Sequence, residues 1–378
     1  MSLPRITVGL PVYKGADFIA NALECLQHQT FSNFEAIISI DGNDVETAEA
    51  CRPFLSDPRF RMVVHPRRLD WVGNFNWLLQ QDLAEFFCYR QHDDTTAPEF
   101  FEVLLRVADK ETSAAAIYCD CQMRGGRSDF EIVPSIEGEP LDRLYQYVSR
   151  LPYIGAPVPI RGLMRRDAIR HAGLVRSDEF RAAFQVFGWL ANILRWGGFR
   201  RVAQPLYYRL DHARSYTREY WSGPGQAAWT TLFTGLFEAA MRLCRTPEER
   251  LFFQQTILDR IVAFPPVGRS QELNSTDKVV AECLERLRQE GNTHLLGVEE
   301  FPSILGDLQL RVDEIKRNER SRLGRGISQI RIKYQLGRLI YPRSRIRRAA
   351  YQFRHLLEML GKLGRLLLGG YWPRFSHG

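Results

Sequence analysis

Two adjacent carboxylates, Asp93 and Asp94, stand where an apolar run ends, in Glu-Phe-Phe-Cys-Tyr-Arg-Gln-His-Asp-Asp-Thr-Thr-Ala-Pro over residues 85–98. Paired acids at a strand's carboxyl end suit a divalent cation, Mg2+ or Mn2+, that in turn holds phosphate. Acids just ahead of Pro98 also serve as helix caps, and a helix carrying Phe101, Leu104, Leu105 and Ala108 is expected over 100–109. Three further groups follow strand-like runs: Pro11 with Tyr13, the turn Asp41-Gly42-Asn43-Asp44, and Arg67, Arg68 and Asp70. A guanidinium pairs with phosphate oxygens in a two-pronged fashion, which singles out the arginines, Arg68 first. His212 follows the run Tyr-Tyr-Arg-Leu-Asp, where a lone histidine reads by itself as surface or packing.

The elements that position these groups alternate. Strands are expected over 5–12, 34–40, 59–65, 85–89 and 114–120, and helices over 15–29, 45–54, 71–81 and 100–109. That alternation implies right-handed crossovers and a mostly parallel sheet flanked by helices, an α/β fold whose ligands sit at the strands' carboxyl ends. Those ends are 11–14, 41–44, 65–70 and 92–95. Next come a helix over 141–149, a rigid proline-rich loop at 152–159, helices over 161–174 and 184–196, and short strands at 199–202 and 205–209. Beyond about residue 215 the spacing is helical only, over 225–244, 247–264, 275–290 and 301–320. The expected division is an α/β domain over 1–214, a helical domain over 215–320 and a basic amphipathic helical tail over 321–378.

With 45% hydrophobic and 12% aromatic residues in 378, the chain can bury real cores and is globular. The net charge of +7 conceals an asymmetry: residues 314–378 hold 16 Lys and Arg against 3 Asp and Glu, while residues 1–313 hold 35 against 41. Basic helices with leucines on one side and terminal Tyr371 and Trp372 suit an anionic membrane surface next to a lipid-linked acceptor. Packing of the leucine stripe on the helical domain or on a second subunit is the alternative, so an oligomer is compatible with the sequence. Nucleic acid is not expected as a partner, because no binding module accompanies the charge. Seven cysteines without a Cys-x-x-Cys spacing imply reduced thiols. No signal peptide precedes residues 5–12, and no uncharged apolar run approaches the ~20 residues that span a bilayer. A cytoplasmic protein, peripheral on the inner face of the cell membrane, is expected.

Three stretches, Ile-Thr-Val-Gly-Leu-Pro-Val-Tyr-Lys-Gly over 6–15, Phe-Ile-Ala-Asn-Ala-Leu-Glu-Cys-Leu-Gln-His-Gln-Thr-Phe over 18–31 and Asn-Phe-Glu-Ala-Ile-Ile-Ser-Ile-Asp-Gly over 33–42, give the sequence its resemblance to the family-two inverting glycosyltransferases with the GT-A fold. The resemblance covers roughly residues 4–212 and implies a nucleotide-sugar donor, UDP- or dTDP-linked, and a glycan or lipid-linked acceptor in surface polysaccharide or glycolipid assembly. It implies that Pro11, Tyr13 and Asp41 surround the nucleoside base, that Arg68 contacts diphosphate or ribose, and that His212 closes over the diphosphate or metal. Asp93 aligns with the metal-binding acid and Asp94 supports it, but Gln91 stands where relatives carry the first acid of the motif. Relatives place the catalytic carboxylate just ahead of a helix such as 185–198, where this chain has Phe184, Gln185, Val186 and Phe187. The nearest acids are Asp178 and Glu179, with Asp120 at the fifth strand's end as the other candidate. Gln91 and the displaced base also fit a second reading, a catalytically silent nucleotide-sugar-binding protein that docks partners through its helical tail.

Overall fold

Strand β1 (Ile6–Val12) is buried along its whole length, which is why its sequence is a continuous apolar run and not an alternating one. It pairs in parallel with β2 (Phe34–Ile40) on one side and β4 (Phe86–Tyr89) on the other, and β3 (Phe60–Val64) extends the parallel half beyond β2. The computed structural model describes residues 3–126, 130–151, 158–176, 185–212, 226–246, 249–250, 252–253 and 256–257. Among them a nine-stranded sheet runs β3-β2-β1-β4-β8-β6-β9-β5, with β7 (Phe130–Glu131) paired to β6. Here β5 is Thr95–Thr96, β6 Ala114–Gly125, β8 Leu163–Arg165 and β9 Gly198–Asp211. The half beyond β4 is mixed: β8 is antiparallel to both neighbours, β6 and β9 are parallel, and β5 is antiparallel to β9.

The crossover helices α1 (Ala16–Gln27), α2 (Val45–Cys51), α3 (Asp70–Leu79) and α4 (Phe100–Ala108) fall where the apolar spacing predicts them. Helix α4 buries Phe100, Phe101, Leu104, Leu105 and Ala108 on one face. In α1 the buried set is Ile19, Ala22, Leu23 and Leu26, while Phe18 lies half-buried and turns toward the sheet's carboxyl edge. Helices α5 (Pro140–Val148), α6 (Arg166–Ala172), α7 (Gln185–Ile193) and α8 (Gln226–Met241) complete the α-helices among the described residues.

Two expectations are corrected. The helix expected over 161–174 starts only at Arg166, because the residues before it form β8 inside the sheet. A Cβ on Gly162 would stand 2.0 Å from the Ile117 carbonyl oxygen, so the chain passes directly against β6 there, and Leu163 and Met164 are wholly buried. The two short strands at 199–202 and 205–209 are one strand, β9. Its register slips opposite Asp120, where Pro205, which lacks an N–H, is accommodated as an irregularity. The domain boundary at 321, the helices expected over 275–290 and 301–320 and the basic tail lie outside the described residues.

The turn after β2 behaves as its sequence predicts. Asp44 caps α2, accepting from the Thr47 amide at 3.2 Å and hydroxyl at 2.7 Å, and it also accepts from the Lys14 amide at 2.7 Å. Burial alone would raise its carboxyl, but the hydrogen bonds from Thr47 and Lys14 hold it below the ordinary carboxylate range. A lowered folded-state value means stability that is full above the unfolded value of about 3.9 and fades as pH falls through the folded one. Asp44→Ala is therefore expected to cost about 1 kcal/mol in urea unfolding at pH 7. That difference should shrink steadily on acidification below pH 4; a constant difference would contradict the assignment.

Candidate active site

The carboxyl ends of β1, β2 and β4 supply one edge of the sheet, and most of the candidate residues gather there. Pro11 lies buried in β1 opposite Ser39, and the chain then leaves the strand through half-exposed Tyr13. The Arg68 guanidinium sits 3.7 Å above the centre of the Tyr13 ring, a cation–π contact. Its Nε lies 3.2 Å from Asp70 Oδ1 and 3.8 Å from Asp41 Oδ2. Asp41 is 2% exposed and accepts from the Leu69 amide at 2.6 Å, which ties the β2 turn to the segment bearing Arg68. Lys14 and Asp70, on either side of this group, both take the left-handed backbone conformation (φ 50° and 60°). For non-glycine residues that costs roughly 1–2 kcal/mol each, a strain found most often at functional sites. Beneath them Ser39 donates to Asn74 at 2.5 Å and meets His65 Nε2 at 2.8 Å, while the Asn74 amide returns a bond to the Ser39 carbonyl. Burial lowers the His65 pKa, with Asp41 pulling the other way.

The second group lies beyond β4. Asp94 is 2% exposed and has both carboxylate oxygens engaged: Oδ2 accepts from the Tyr207 hydroxyl at 2.9 Å and Oδ1 from the Leu210 amide at 3.1 Å. Arg161, also buried, places its Nε 3.9 Å from Asp94 Oδ2 and donates through Nη2 to Gln91 Oε1 at 2.9 Å. Burial, and next the neighbouring Asp93, push the Asp94 carboxyl up to about 6, against Arg161, Arg209 and Tyr207. These contacts bind the loop after β4 to β9 and bring Asp93 Oδ2 to 3.1 Å from His212 Nε2. The imidazole stacks on Phe18, ring centres 4.4 Å apart. Neither aspartate caps α4, whose N-cap residue is Glu99.

Among the described residues no group of three or more His, Cys, Asp and Glu side chains could hold a metal ion. Asp93 and His212 form a two-residue donor set, which fits a cation that takes its remaining ligands from phosphate and water. Asp94, expected beside Asp93 as a ligand, has one oxygen on the Tyr207 hydroxyl and the other on the Leu210 amide. Asp120 is held by Arg201 in a two-pronged pair at 2.6 and 2.7 Å. Asp178 and Glu179 lie outside the described residues. Sequence reasoning missed three participants. Arg161 carries no local signal, Tyr207 reads as an ordinary strand aromatic, and Phe18 reads as part of the α1 core face.

The fold, with its parallel half, its mixed half and a carboxylate–imidazole pair at the edge between them, is a mixed α/β fold of the GT-A glycosyltransferase type. Residues 7–173 match the family model described as Glycosyl transferase family 2. A curated relative, "Putative glycosyltransferase EpsH" of Bacillus subtilis (strain 168), is 26% identical over 231 residues, 58% of this chain and 64% of that protein, so the match spans less than two thirds of the relative. Among solved structures, S. aureus TarS 1-349 superposes with a TM-score of 0.59 at 13% identity, covering 82% of this chain and 88% of that one. The same protein in complex with UDP-GlcNAc gives 0.62 at the same coverage. At that identity the likeness is one of fold.

If Arg161 is the counter-charge for Asp94, Arg161→Met leaves a buried carboxylate uncompensated and should destabilise the protein by about 3 kcal/mol. Adding Asp94→Asn should recover part of that loss. Additive effects in the double variant, measured by denaturant unfolding, would show that the two groups do not interact.

Proposed function

We propose that this protein is an inverting glycosyltransferase that moves a sugar from a nucleotide-sugar, UDP- or dTDP-linked, to a hydroxyl of a glycan or lipid-linked acceptor. The observation that carries this reading is the Asp93–His212 pair, 3.1 Å apart at the sheet edge that also presents Tyr13, Asp41 and Arg68. Tyr13 supplies an aromatic face for the nucleoside base, and Arg68, which lies over that face, is placed to shift onto the ribose or diphosphate. Asp93 and His212 would hold Mg2+ or Mn2+, whose chemistry is to neutralise charge on a diphosphate. Asp94 acts behind them as a positioning residue.

In the transfer the acceptor oxygen attacks the anomeric carbon from the face opposite the nucleotide. The bond from that carbon to the diphosphate oxygen breaks, and the acceptor's proton goes to a carboxylate. Asp178 or Glu179 is the assignment for that base, since Asp120 is tied to Arg201. The assembly of surface polysaccharide or glycolipid at the cytoplasmic face of the membrane is the setting in which the basic tail fits. The tail would bind the surface through leucines in the acyl boundary and arginines on headgroups.

Gln91 and Gln185, each standing where the family resemblance expects an acid, favour a second reading as a catalytically silent nucleotide-sugar-binding protein. Incubation of full-length protein with UDP-, dTDP- and GDP-sugars and Mn2+ separates the two. The expected result is release of nucleotide from one donor, reduced at least a hundredfold in Asp93→Ala; binding by calorimetry without release from any donor would favour the silent protein. For the tail, flotation with vesicles containing anionic lipid should carry the protein to the top of the gradient, and truncation at residue 320 should abolish this. Folded full-length protein that stays at the bottom would exclude the membrane role.

A further inference from the structure

The chain after α6 meets α7 and α8 around a cavity of about 150 Å³. Its polar lining is Arg176, Gln185, Trp189, Asn192, Glu238 and Arg242. None of these residues belongs to the group around Tyr13, Arg68, Asp93 and His212. The helices can approach this closely because Gly188 faces Gly235: a Cβ on Gly188 would stand 2.9 Å from the Gly235 Cα. The volume is below that of a drug-sized pocket and suits a few waters or one small molecule.

The lining is unusual in what it leaves unpaired. Gln185 is 4% exposed, yet neither its amide nitrogen nor its amide oxygen has a partner, and the Asn192 amide oxygen has none either. A native fold seldom buries such groups without a partner, because each costs about 1–3 kcal/mol. The charges are also uneven. Glu238 accepts from both Arg176 and Arg242. Arg195, three residues past Asn192, feels the same two charges, Arg242 and Glu238. Its pKa is lowered by burial first and by Arg242 next, and its Nε is buried without a partner. Trp189 is held in the wall by its indole N–H, which donates to the Gly173 carbonyl at 2.8 Å.

Two amide oxygens need hydroxyl donors, one amide nitrogen needs an oxygen acceptor, and a guanidinium cluster with a single carboxylate attracts an anion. Water satisfies the amides but brings no charge. We propose that this cavity is a binding site for a small hydroxylated carboxylate with the chemistry of a uronic-acid sugar. Its carboxylate lies toward Arg242 and its hydroxyls toward Gln185 and Asn192. A ligand there bridges α7 and α8, so its binding stabilises the attachment of α8 to the sheet domain.

The test uses full-length protein with D-glucuronate, D-glucose and sulfate as probes, read by saturation-transfer NMR and by thermal unfolding. Glucuronate is expected to bind and raise the melting temperature, with glucose at least tenfold weaker and sulfate unable to displace it. Gln185→Leu removes unpaired buried groups, so it should melt at the same temperature or higher while binding glucuronate at least tenfold more weakly. Arg242→Gln should lose binding similarly. Equal affinity for glucose and glucuronate, displacement by sulfate, absence of binding to the folded protein, or unchanged affinity in Gln185→Leu would overturn the proposal. No nucleotide is present in this experiment, so its failure is distinct from failure of the donor reading.

Discussion

A buried carboxylate fixes the site. Asp94 sits beneath the sheet edge with one oxygen on the Tyr207 hydroxyl and the other on the Leu210 amide, and Arg161 supplies the nearest opposite charge. Taking a carboxylate out of water is costly, and its pKa, pushed up to about 6, is the trace of that cost. What the arrangement secures is geometry. The loop after β4 and the end of β9 are far apart in sequence, and Asp94 binds one to the other so that Asp93 and His212 meet at 3.1 Å. Two residues closed by a strand-to-strand lock form a stiffer site than two residues on separate loops.

The same lock explains Gln91. A third acid there would stand close to Asp93 and Asp94, where like charges repel strongly in a low dielectric. A neutral amide instead accepts from Arg161 through its oxygen. Arg90 lies wholly buried nearby, its guanidinium over the Phe100 and Tyr207 rings, and Arg209 pairs with Glu131. Around Asp94 the guanidiniums of Arg90, Arg161 and Arg209 thus meet the carboxylates of Asp93, Asp94 and Glu131.

Much of this was legible in the sequence, and the parts that were not share a cause. Fully buried β1 and nearly buried β2 announce themselves as mostly apolar runs, α4 by its spacing, and the Asp44 cap by its turn. The strand β8 reads as helix because its pairing with β4 and β6 is set by residues some fifty to eighty positions away, and only Gly162, forced by the Ile117 carbonyl, hints at it. Asp93 and His212 were each recognisable by position, whereas the roles of Asp94, Arg161 and Tyr207 depend on a register between distant strands that local pattern does not encode.

The proposed division of labour between neighbouring acids is that Asp93, with His212, would hold the cation and through it the donor's diphosphate, while Asp94 would only position them. The enhancement of water-proton relaxation by Mn2+ in a mixture of protein and UDP, over that of Mn2+ with UDP alone, measures this directly. We expect a clear enhancement with the unmodified protein, its retention in Asp94→Asn, and its loss in Asp93→Ala. An enhancement that survives in Asp93→Ala but vanishes in Asp94→Asn would reverse the two roles and contradict the claim.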